Sequence, residues 1–154
     1  MGAVIASGAT LVVACGSSSS NGNPSGNASA SSATVVVKKV AGYGSVLATP
    51  SGQTLYLLTA DPSGGSKCTG SCAAQWPPLT EHGTPTAGPG VDGSMLSTFK
   101  RNDGKMQVLY DSHALYTHTG SGATSGAGIA ANGGIWYLVS PTGKAVKSTT
   151  SGGY

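Results

Sequence analysis

Beyond residue 33 the apolar residues fall in short runs rich in valine, leucine and aromatics, each closed by glycine, proline, serine or asparagine. Runs of that length, bounded by turn residues, read as strands rather than helix faces. They predict strands over 34–40, 45–48, 96–101, 106–110, 135–139 and 145–147, with turns at Asn102-Asp103-Gly104 and Pro141-Thr142-Gly143. Only 70–75 reads as helical, and Trp76-Pro77-Pro78 stops it, because proline disfavours the α conformation in the residue before it and has no N–H to donate. The expected fold is mainly β, a small antiparallel sheet domain.

The pattern occurs twice. Gln53-Thr54-Leu55-Tyr56 with Trp76 downstream matches His113-Ala114-Leu115-Tyr116 with Trp136 downstream, at the same Leu-Tyr to Trp spacing. Each Leu-Tyr follows a short apolar strand and a polar turn, and a glycine-rich loop leads from it to the tryptophan. The expectation is two pseudo-equivalent hairpin-based repeats, about 43–79 and about 106–147. Tyr56, Asp61, Trp76, Tyr116 and Trp136 are the recurring features, with the aromatics expected to anchor two equivalent core layers. A function tied to them would use the cleft between the repeats. Asp61, ahead of Pro62-Ser63-Gly64, is expected to cap that turn.

The amino-terminal end differs in kind. Residues 3–14 are apolar apart from small polar residues, too short to span a bilayer and of the length of a signal-peptide core. The stretch ends in Val12-Val13-Ala14-Cys15, which resembles a bacterial lipobox: an aliphatic residue three before the cysteine and a small one just before it. Cys15 is thereby the expected lipidation site and first mature residue. No Lys or Arg precedes the apolar run, as a start of translation further upstream would explain. Residues 16–33 are almost wholly Gly, Ser, Asn and Ala, which bury too little apolar area to offset their ordering entropy and should act as a tether. The expected organisation is 1–15 signal peptide and lipobox, 16–33 linker, and 34–154 an extracytoplasmic β-rich domain.

Composition narrows the chemistry. Of 154 residues 25 are glycine and only 8% are charged, and the net charge of +3 comes from basic residues spread along the domain, with Lys38-Lys39 and Lys100-Arg101 the adjacent pairs. Nucleic-acid binding needs a denser basic patch, so these are read as solvated surface charges. The expected partners are the membrane, through lipid on Cys15, and a cell-wall polymer or envelope protein.

The runs 55–61, 65–73 and 76–79, with Leu55-Tyr56-Leu57-Leu58-Thr59-Ala60-Asp61 and the Cys68 and Cys72 loop before Trp76-Pro77-Pro78-Leu79, resemble bacterial secreted-repeat lipoproteins named for a Tyr-x-aromatic-x-x-Asp motif. Residues 101–108 and 136–143 fit the same family's second repeat. Leu58 stands where the motif has an aromatic, and the second run, Tyr116-Thr117-His118-Thr119-Gly120-Ser121, lacks the final Asp. The resemblance implies secretion, lipidation and repeat architecture, and no established activity.

Outside the cytoplasm Cys68 and Cys72 are expected to form a local disulfide, and Cys15 to be consumed by lipid. So short a loop contributes about 2 kcal/mol in the chain-entropy model. The alternative is an envelope redox or metal-associated protein using Cys68 and Cys72, with Lys67 stabilising a thiolate. Asp111, His113 and His118 are the residues a metal site would draw on, although no helical metal motif contains them and strand geometry sends His113 and His118 to opposite faces. No Gly-x-Ser-x-Gly nucleophile is present, and Gly126-Ala127-Gly128-Ile129-Ala130-Ala131 lacks the strand and helix of a dinucleotide site and reads as a flexible loop. The expected function is therefore a non-enzymatic binding or structural module of the envelope with no catalytic residue, metal or cofactor.

Overall fold

The computed structural model describes residues 33–149 and Gly2. Cys15 and, apart from Gly2 and residue 33, the segments expected to be signal peptide and linker lie outside the described residues. The domain is mainly β: three small antiparallel sheets and one five-residue helix.

The first sheet is the hairpin of β1 (Val36–Val40) and β2 (Gly44–Ala48). A second hairpin, β4 (Leu96–Lys100) with β5 (Met106–Tyr110), closes through the Asn102-Asp103-Gly104 turn, and β6 (His113–Ala114) folds back on β5. Asp111 and Ser112 link β5 to β6 with φ of 48° and 64°, the mirror-image turn that suits the right-handed twist of paired strands. In the third sheet β8 (Gly134–Val139) lies between β3 (Tyr56–Leu58) on one side and β7 (Ala130–Ala131) and β9 (Ala145–Val146) on the other. Helix α1 (Ser71–Gln75) stops at Trp76, ahead of the two prolines.

The expected strands are present within a residue or two at their ends. Strand β7 is the exception, since its residues fall in the segment read as a flexible loop. Its pairing with β8 turns on Asn132-Gly133, both at positive φ, so Asn-Gly hairpin chemistry decides the geometry there.

The central strands are buried on both faces, which is why their sequences run apolar without alternation. Tyr56, Leu58, Leu109, Tyr116 and Leu138 point into one cluster, while Leu55, Leu57, Val108, Tyr110, Leu115 and Val139 point into the other. Trp76 and Trp136 are fully buried and belong to the first cluster. The four recurring aromatics therefore form one stack, not two layers: the indoles lie parallel at 3.9 Å and 3°, Tyr56 meets Trp76 edge-on at 5.4 Å, and Tyr116 meets Trp136 edge-on at 5.0 Å. Two separate layers would have left each indole half covered.

The stack is possible because the segments exchange partners. Tyr56 and Tyr116 pair with each other, each N–H donating to the other's carbonyl at 2.8 and 3.0 Å. Tyr56 then stands opposite Leu138, two residues beyond Trp136, and Tyr116 opposite Pro78, two beyond Trp76. The same crossing recurs outward. Val139 N–H donates to the Leu55 carbonyl and Leu79 N–H to that of Leu115; Thr59 N–H donates to Ile135 and Thr119 N–H to Gln75. Tyr116 makes only isolated bridges where Tyr56 lies in a strand, because Pro77 and Pro78 opposite it have no N–H to extend a ladder.

Gly126 sits against the six-membered ring of Trp76: a Cβ there would lie 2.5 Å from Cη2 and 2.6 Å from Cζ3. Trp76 has little room to retreat, since Trp136, Tyr56 and His118 all pack against its ring. Gly126→Ala is expected to cost about 1–3 kcal/mol by overpacking, and Trp136→Ala about 3–5 kcal/mol by leaving a cavity. Urea denaturation of each variant, followed by tryptophan fluorescence, measures both; equal stability of Gly126→Ala and the parent would contradict the packing described.

Candidate functional site

The loop after β3 and the turn between β4 and β5 enclose a buried polar network. Asp61 Oδ1 accepts the Lys67 N–H at 2.7 Å, and Asp61 Oδ2 accepts the Tyr116 hydroxyl at 2.6 Å. Asp61 thus accepts a backbone N–H from the loop that follows it, beyond Pro62-Ser63-Gly64, and its second oxygen also reaches the Tyr116 hydroxyl where that emerges from the aromatic stack. Ser66 Oγ also bonds the Tyr116 hydroxyl and accepts from the Cys68 N–H. Arg101, 7% exposed, donates to Ser66 Oγ, to Gln107 Oε1 at 2.6 Å and to the Cys68 carbonyl at 2.7 Å, while Gln107 donates to the Leu115 carbonyl. The solvated-surface expectation for Arg101 is therefore overturned: its guanidinium ties the disulfide loop to β5.

Burial raises the Asp61 carboxyl above its ordinary range, opposed by its hydrogen bonds from Lys67 and Tyr116 and by the charge of Arg101. Burial and the neighbouring Asp61 also raise the Tyr116 phenol, so the shared proton stays on Tyr116. Cys68 and Cys72 are joined in a disulfide, with Cα atoms 5.2 Å apart and exposures of 1% and 7%. A cleft of about 380 Å³ opens beside this network, against Phe99, Ala73 and Arg101.

The second cleft, of about 360 Å³, has walls from both Leu-Tyr to Trp segments. Lys38, Gln53, Thr54 and Tyr56 form one side, and His118 with the loop 120–123 forms the other. Lys38 Nζ donates to the Gly52 carbonyl at 2.8 Å, and no carboxylate lines the cleft. The Tyr56 hydroxyl bonds the Ala123 carbonyl at 3.2 Å and accepts the Gly126 N–H at 3.3 Å. The 126–129 segment is thus built into the core, and its glycine is selected by contact with Trp76. His118 packs on Trp76 at 4.2 Å, on the indole face opposite Trp136. Its Nδ1 accepts the Gly120 N–H and pairs with Ser125 Oγ at 2.9 Å, which leaves the hydrogen of the neutral ring on Nε2.

Tyr56, Trp76, Tyr116 and Trp136 are thus brought together, and Asp61 joins them through Tyr116. Asp111, His113 and His118 are not: Asp111 pairs with Lys144 at 3.3 Å, His113 lies in β6 opposite Tyr110, and His118 is held on Trp76. Among the described residues no three metal-ligating side chains converge. Lys38, Ser66, Arg101, Gln107 and Ser125 carry no sequence signal for their roles, since each gains its partner only through long-range pairing.

Two expectations follow. Tyr116→Phe leaves the Asp61 carboxylate half buried and short of a donor, and should cost about 1–3 kcal/mol at neutral pH in chemical denaturation. Burial lowers the pKa of His118 from its ordinary 6.5, so the folded state holds this proton less tightly than the unfolded chain. Its contribution is complete above pH 6.5 and is lost as pH falls from there toward the lower folded value. The melting temperature should decline over that window in the parent and less so in His118→Gln; parallel curves would contradict the assignment.

No curated protein and no solved structure matches the chain. Residues 38–80, from β1 through the Trp76 segment to Thr80, match the model of the Lipoprotein_15 family, described as a secreted repeat of unknown function.

Proposed function

We propose that this protein is a membrane-anchored binding module of the bacterial cell envelope. The signal peptide is removed ahead of Cys15, lipid on Cys15 holds the chain at the extracytoplasmic face, and residues 16–33 tether the β domain. The domain binds an envelope component, a wall polymer or an envelope protein, in the cleft beside His118. The observation that carries this reading is that cleft: it takes its walls from both segments, and its edge is held by a histidine packed on the tryptophan stack. The secreted-repeat match supports the location.

The disulfide belongs to the scaffold in this reading. Attack by an external thiolate needs access to sulfur, and both cysteines are buried behind the Arg101 network.

Intact-mass spectrometry of the protein extracted from its membrane should show a diacylglyceryl adduct on Cys15 and a two-proton gain on reduction. With the same protein as bait against envelope extracts, Ser121→Trp, which puts a bulky ring on an exposed rim position, should release what the parent retains. A chain that keeps an unmodified Met1 sinks the anchoring, and identical retention by parent and Ser121→Trp sinks the cleft as the binding site.

A further inference from the structure

Positions sixty residues apart take matching places in the crossed hydrogen bonds: Leu55 with Leu115, Tyr56 with Tyr116, Thr59 with Thr119, Gln75 with Ile135, and Leu79 with Val139. The correspondence extends to the groups around each tyrosine hydroxyl. Tyr116 is met by Ser66 Oγ, and Tyr56 is met by the N–H of Gly126, sixty residues further on. Tyr116 also has the carboxylate of Asp61 at 2.6 Å, and the position sixty beyond Asp61 is Ser121. At this pair of positions the two sides of the core therefore differ by a carboxylate. On the Asp61 side the aspartate occupies the position next to the tyrosine hydroxyl. On the Ser121 side the side chain is short and uncharged, the Tyr56 hydroxyl falls back on a carbonyl at 3.2 Å, and the cleft lies beside it.

Charge points the same way. Lys38 is the only charged side chain lining the cleft, apart from the titratable His118. It has one carbonyl partner and, among the described residues, no ion pair. A half-buried ammonium facing a space without a carboxylate favours an anion there. The remaining polar lining groups, Gln53, Ser121 and the Gly52 carbonyl, are neutral donors and acceptors of the kind that bind hydroxyls, while the Thr54 hydroxyl is buried and donates to the Ala123 carbonyl at 2.7 Å.

We infer that the cleft binds an acidic saccharide, whose carboxylate takes the place of the aspartate missing at position 121 and pairs with Lys38. This rests on the binding role proposed for the same cleft.

The test is calorimetric titration of the full chain in detergent with trigalacturonate, with the neutral trigalactose and a short peptide bearing a free carboxylate as comparison ligands. Trigalacturonate should bind best and weaken as salt rises. Ser121→Asp, which restores the carboxylate from within, should reduce its affinity by about tenfold or more while leaving the melting temperature equal or higher. Ser121→Asn should reduce it less, Lys38→Met should reduce it comparably to Ser121→Asp, and Lys38→Arg should retain it. Unchanged affinity in Ser121→Asp, equal binding of the neutral trimer, or binding of the peptide alone overturns the inference. If the neutral trimer binds and Ser121→Trp blocks it, the carboxylate assignment fails and the binding cleft stands. If Ser121→Trp alters the binding of no ligand, both fail.

Discussion

The parallel contact between Trp76 and Trp136 is the constraint on which the rest of the domain depends. Each indole is fully buried, and each is covered on one face by the other. Aromatic side chains bury about 150–250 Å² each, so the pair is the largest single apolar contribution in the core. To bring the indoles into register, the chain must pair Tyr56 with Tyr116 and pass each Leu-Tyr segment alongside the other's tryptophan segment. Neither segment can form this core alone, because each one's partner strand comes from the other.

The two ends of the stack have different chemistry. At one end the Tyr116 hydroxyl passes into Asp61, Ser66 and the Arg101 guanidinium, a buried network in which nearly every polar group has a partner. Among the described residues the Trp76 indole N–H has no hydrogen-bond partner, and the Arg101 Nε has none either but lies 3.6 Å from Asp103 Oδ2 as an ion pair. For Trp76 the sequence offers a reason: Trp136 donates to Asn132, four residues before it, and the residue four before Trp76 is Cys72, held in the disulfide. The bridge thus takes the place of a hydrogen-bond acceptor. At the other end small residues replace the network, and a cleft lies against the Tyr56 side of the stack.

The strands and turns could be read from the sequence because their causes are local. The Asn102-Asp103-Gly104 and Pro141-Thr142-Gly143 turns, the stop at Trp76-Pro77-Pro78 and the short apolar runs each act within a few residues. Asn132-Gly133 was equally local, but the glycine-rich surroundings read as a loop. The side chains at the two clefts were another matter. Lys100-Arg101 looks like any solvated basic pair, and only the return of the Cys68 loop over β5 buries the second member while leaving the first exposed.

The sequence by itself determined the mainly β class, the strand positions, the doubled Leu-Tyr to Trp pattern and the residues that recur in it, since turn chemistry and hydrophobic runs are encoded in neighbouring residues. Only the tertiary structure decided that the recurring aromatics form one stack, that Asp61 serves Tyr116 as well as its own loop, and that His118 rests on Trp76 apart from His113. Those outcomes depend on which strand lies beside which, and strand pairing is set by burying both indoles at once, a condition on the whole chain that no local window contains.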